Sequence, residues 1–90
     1  DFVAETLGDL LRRDPRQAGD LVRTILAYGR HGGNVGGAAA ELGIHRNTLT
    51  YRLRQVEAET GLTPYNPAHL LSLLLAALLW TLPEPPATRG

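Results

Sequence analysis

The sequence predicts an all-α fold of about five helices, and three observations carry that prediction. Apolar residues recur three and four apart along most of the chain. A cap residue followed by proline occurs twice, at Asp14-Pro15 and Asn66-Pro67, and glycines stand where the periodic stretches stop.

Phe2, Val3, Leu7, Leu10 and Leu11 share one helical face, so residues 2–12 read as a short amphipathic helix. Asp14-Pro15-Arg16-Gln17 then supplies a cap, a proline at the first helical position and a glutamine at the third, a strong start signal. Ala18, Leu21, Val22, Ile25, Leu26 and Gly29 continue the rhythm to a stop at Gly32-Gly33, with Gly19 a candidate break in the first turn. Asn34 is placed to cap a third helix that buries Val35, Ala38, Ala39 and Leu42 and ends at Gly43. Gly36 and Gly37 weaken it, since interior glycine costs about 1 kcal/mol relative to alanine, so this helix must lean on packing.

A fourth helix begins near His45 and closes at Gly61. Asn66-Pro67 opens the last one, which Pro83 stops. Its core, LLSLLLAALLW, is apolar nearly all the way round and should be covered on several sides, with Trp80 and its neighbouring leucines in the core. The stretch is shorter than the ~20 apolar residues of a membrane span and contains His69, Ser72 and Thr81, which argues against a membrane. The helical domain is therefore expected over residues 1–82, with 83–90 a flexible tail.

Ninety residues make one small domain. The lack of cysteine excludes a disulfide framework and thiolate metal sites and points to the cytoplasm. The chain opens on Asp1 with no signal segment, so a piece of a longer polypeptide is expected. Net charge is zero, but its distribution is uneven. Arg23, Arg30, Arg46, Arg52 and Arg54 face only Glu41 between positions 23 and 54, while the first twenty residues carry five acids against three arginines. Every basic residue is arginine, which coding bias alone could produce.

A turn as tight as Leu42-Gly43-Ile44 makes the third and fourth helices cross steeply, the helix-turn-helix arrangement. Small Ala39 permits close approach, Gly43 can take a positive φ, and Leu49 anchors the second helix on the first. Advancing about 100° per residue from Leu49 puts Leu53 near 40° and Val56 near 340°, one buried stripe. Asn47, Tyr51, Arg54 and Ala58 fall opposite, between about 140° and 200°, with Arg46 and Arg52 on the flanks. An amide, a phenol and guanidinium groups on one open face suit base edges and phosphates. A merely solvated helix face is the plain alternative for the arginines, as are a helix cap for His45, a lone surface aromatic for Tyr51 and first-turn stabilisation for Asn47. The absence of acids from His45 to Gln55 favours the binding reading. Glu57 and Glu59 could still pair with Arg54.

The run GNVGGAAAELGIHRNTLTYRLRQVEAETGL resembles the C-terminal helix-turn-helix of PucR-type bacterial transcription regulators, the purine-catabolism and sugar-diacid group, whose motif is similar to that of Fis. HRNT-x-x-YRL, followed by a glutamate and TGL, is its most specific part, and the likeness reaches upstream through LLRRDPRQAGDLVRTILAYGRHGGNV and downstream through the leucine helix. The resemblance implies duplex DNA as partner, sequence-specific binding by a helix at about 45–59 in the major groove, and sensory modules elsewhere in the polypeptide. It carries DNA contact onto His45, Arg46, Asn47, Thr48, Tyr51 and Arg52, to which the outward face adds Arg54. The chain departs from the family at Gly36-Gly37, where only backbone N–H groups could meet a phosphate, and at Pro64-Tyr65, in place of an acidic loop.

No catalytic constellation is legible, so neither an enzyme nor a cofactor is expected. His31, His45 and His69 lie in separate elements, Ser72 is the only serine and sits on an apolar helix, and GGNVGG lacks the lysine of a phosphate loop. A homodimer, through the C-terminal helix or neighbouring domains, is expected at even weight with a single copy. The rival function is a protein-interaction module whose working surface is the leucine helix.

Overall fold

A computed structural model describes residues 1–83. The sequence-predicted tail lies almost wholly beyond them. The order is α1 (Phe2–Leu7), a 3-10 helix (Gly8–Arg12), α2 (Pro15–Arg30), α3 (Val35–Leu42), α4 (Arg46–Thr60) and α5 (Pro67–Thr81), with no strand among the described residues. The all-α expectation holds.

Each of α1, α2, α3 and α5 starts on a side chain that takes up backbone N–H groups the first turn cannot pair internally. The Asp1 carboxylate accepts from the Ala4 N–H, Asp14 from Arg16 and Gln17, Asn34 from Gly37, and Asn66 from Ala68 and His69. Two expectations fail locally. The helix expected over residues 2–12 breaks at Gly8, whose φ of +52° ends α1 and passes the chain into the 3-10 turn. A Cβ there would lie 3.1 Å from the Glu59 carbonyl oxygen, so α4 presses on the bend. Gly19, by contrast, breaks nothing. It is buried inside α2, beneath the Arg23 guanidinium.

Two apolar clusters make the core. Leu7, Leu10, Leu21, Val22 and Ile25 gather with Val56 of α4 and Leu73, Ala76 and Ala77 of α5. Ala27 and Tyr28, from the last turns of α2, gather with Ala38, Ala39, Leu49 and Leu53. Helix α4 therefore contributes to both clusters, which fixes its rotation about its own axis. The close approach of α3 and α4 needs the small Ala38 and Ala39, and the turn between them needs Gly43 at φ +67°, where a side chain would be strained.

Helix α5 packs against α1 and α2 and makes no backbone approach to α3 or α4. The expectation that its apolar surface is covered on several sides is wrong. Leu71, Leu75, Leu78, Leu79, Trp80 and Leu82 are exposed, because α1 and α2 together cover only the face carrying Leu73, Ala76 and Ala77. The Pro64-Tyr65 loop also gains a role: Tyr65 stands edge-on to Tyr28 with ring centroids 6.2 Å apart. Burial, and secondarily Tyr65, push the Tyr28 phenol up from its ordinary pKa.

Candidate nucleic-acid interface

Helix α4 divides into the buried and outward faces that its period predicts. Leu49, Leu53 and Val56 are fully buried, whereas Arg46, Asn47, Tyr51, Arg54 and Ala58 are exposed, Tyr51 by 60%. Thr48 and Arg52 differ from the other candidates in being half-buried on one flank of the helix. The seven candidate residues thus occupy an outward strip and two margins rather than one uniform face. Side chains of α5 meet α4 only on its buried side, through Val56 and the cluster of Leu49 and Leu53, and the outward strip stays exposed among the described residues.

His45 is the N-cap of α4. Its Nδ1 accepts the Asn47 N–H at 3.0 Å, which leaves Nε2 to carry the ring proton when the imidazole is neutral. Capping and contact with a ligand are therefore compatible at this residue, because they use opposite ring nitrogens. On one margin, Arg46 lies beside the first turn of α3, its Cζ 3.7 Å from the place a Cβ on Gly36 would take. The absence of a side chain at Gly36 leaves that space to the guanidinium.

The pairing of charges separates the arginines. Arg12 pairs with Asp9, Arg13 with Glu59 and Arg23 with Asp20, and Arg30 makes a two-point contact with Glu41. Among the described residues Arg46, Arg52 and Arg54 have no carboxylate partner, and Arg16 at the start of α2 shares that condition. Glu59, a candidate partner for Arg54 on the sequence alone, is instead taken by Arg13 at 2.5 Å. Every guanidinium of α4 is therefore free to meet an external anion.

Behind the interface, Glu41 also receives His31 Nε2 at 2.9 Å, so one carboxylate ties the end of α2 to α3. The Arg30 hydrogen bond, with a smaller contribution from His31, holds that carboxyl below its ordinary pKa. His69 is also structural, its Nδ1 accepting the Thr63 N–H at 3.1 Å. No group of three or more metal-ligating side chains occurs among the described residues. None of their helices is long and apolar enough to cross a membrane.

Comparison with known families decides what kind of helix pair this is: the PucR C-terminal helix-turn-helix domain matches residues 21–79, from the first core leucine of α2 almost to the end of α5. The chain belongs to that family. A curated relative, the transcriptional activator PmfR of Paenarthrobacter nicotinovorans, is 36% identical over 79 residues, 88% of this chain. The chain spans only 17% of that relative's length. No solved structure matches it. As a PucR-type helix-turn-helix the chain is a DNA-binding domain of the transcription-regulator class.

Three neighbours of the candidate strip are not legible in the sequence. Arg13, Gln17 and Gln55 line a cleft with Arg52 at the edge of the interface. By its spacing Gln17 reads as a capping-box partner of Asp14, and its backbone N–H does donate to that carboxylate, yet the residue also lines the cleft. Glu59 and Arg13 are 46 positions apart, a pairing that no local pattern announces.

Proposed function

We propose that this domain binds duplex DNA sequence-specifically by laying α4, residues 46–60, in the major groove, as the DNA-reading part of a cytoplasmic transcription regulator. The observation that carries the reading is the set of unpaired guanidinium groups on Arg46, Arg52 and Arg54, with exposed Asn47 and Tyr51 between them. Arginines attract the phosphates and give affinity that falls with salt, while Asn47 and the other first-turn groups, His45 and Thr48, select bases. The mechanism is reversible binding without bond chemistry. Selection of bound sites from a random duplex pool tests it: a recurrent short motif supports the reading, and recovery of unselected sequence contradicts it.

The exposed face of α5 favours pairing of two copies. Leu71, Leu75 and Leu78 are spaced four and three apart, the seam spacing of paired helices, and α5 carries no Asp, Glu, Lys or Arg to repel an identical helix. Two paired copies would read half-sites about 34–36 Å apart or at a multiple of it. The rival without DNA, an interaction module working through α5, predicts assembly but no duplex binding at low salt.

A further inference from the structure

We infer that the cleft between α2 and α4 holds one phosphate of the DNA backbone, gripped by Arg52 together with Gln17 and Gln55. The inference rests on the duplex-binding reading and adds a site, and a contribution from α2, to it.

The cleft has a volume of about 150 Å³, with Leu21 among the residues lining it and polar side chains making up most of the rest. Arg52 and Gln55 line it from α4 because they sit on the flank turned toward α2, at about 300° and 240° from Leu49. Gln17 comes from the first turn of α2. A water occupies about 30 Å³ of liquid, so the space takes a phosphate group with a few waters.

The charges in and around the cleft are sorted. Arg13 is occupied by Glu59 and Asp20 by Arg23, each at 2.5 Å. That leaves Arg52 half-buried with no hydrogen bond or ion pair among the described residues, and two glutamine amides whose side chains have no partner. A guanidinium offers a two-point fork to phosphate oxygens and each amide adds donors, which matches the acceptor oxygens of a phosphodiester. Asp20, a carboxylate that also lines the cleft and is paired with Arg23, weakens the site for a free dianion more than for a diester already held by the rest of the interface.

A scan of single methylphosphonate replacements along a bound duplex tests this, with the wild-type chain and the Arg52→Gln, Gln17→Leu and Gln55→Leu variants. In wild type, one replacement per half-site is expected to weaken binding roughly tenfold, and in each variant the same replacement loses most of its effect. Arg52→Lys keeps the charge but not the fork and is expected to recover only part. Thermal melts establish that the variants remain folded. Effects of replacement and variant that simply multiply at every phosphate would overturn the assignment. So would inorganic phosphate, at ionic strength matched with chloride, shifting the Arg52 and glutamine side-chain NMR signals while the scan shows no coupling, since the cleft would then be a free-anion site. A wild-type chain that binds no duplex removes the inference along with the duplex-binding reading, and that result is visible before any variant is made.

Discussion

A Cβ on Gly29 of α2 would lie 2.3 Å from Leu74 Cδ2 of α5, so the two helices touch where one of them has no side chain. The branch carbon of Leu74 would be only 3.1 Å away, and a simple swing of its tip does not clear the clash. Gly29→Ala should therefore destabilise by about 1–3 kcal/mol through overpacking, outweighing the ~1 kcal/mol that alanine gains in helix propensity. Gly36→Ala is the contrast: its Cβ would meet ordinary contacts at 3.4–3.7 Å, so stability should rise by up to ~1 kcal/mol. Urea unfolding followed by far-ultraviolet circular dichroism separates the two.

Arg46→Ala and Arg54→Ala should each weaken duplex binding and lower the slope of log affinity against log salt by about 0.9 for each phosphate no longer neutralised. Asn47→Ala should leave the salt slope alone and reduce discrimination at one base pair, by about 1–3 kcal/mol if the amide makes a two-point contact to adenine. Fluorescence titrations at several salt concentrations supply both quantities.

The carboxylate shared by Arg30 and His31 makes stability depend on pH. Because the Glu41 carboxyl is held below its ordinary pKa in the folded chain, its contribution is present above the unfolded value and is lost as pH falls through the lower, folded value. Glu41→Gln should lower the melting temperature slightly at neutral pH and flatten its acid decline, and salt should shrink the difference because the group is solvent-facing. Melting curves from neutral to acid pH, at low and high salt, check the sign.

On α5, Leu75→Glu and Leu78→Glu should abolish self-association with little change in the melting temperature, since both side chains are at least half exposed and outside the two core clusters. Sedimentation equilibrium distinguishes this from a structural role, which would lower the melting temperature instead.

Much of this architecture is readable because local chemistry agrees with it. Asp14-Pro15 and Asn66-Pro67 start helices by satisfying N–H groups within three residues, and Leu49, Leu53 and Val56 declare one face through a period set by helix geometry. What cannot be read depends on partners distant in sequence. The Glu59 carbonyl crowds any side chain at Gly8, and Arg13 claims the Glu59 carboxylate that could have paired with Arg54. The bareness of α5 follows from how many neighbours one small domain can supply, which a helix apolar on all sides does not reveal. The candidate site divides in the same way: its outward strip is a matter of period, whereas the cleft beside Arg52 exists only once α2 lies next to α4.

The most direct test of the central claim is an amide NMR titration of the chain with a selected duplex at low salt. Shifts concentrated on residues 45–54, with the exposed leucines of α5 undisturbed, are the predicted result. Shifts confined to α5, or none anywhere at duplex concentrations where other helix-turn-helix domains saturate, would contradict it.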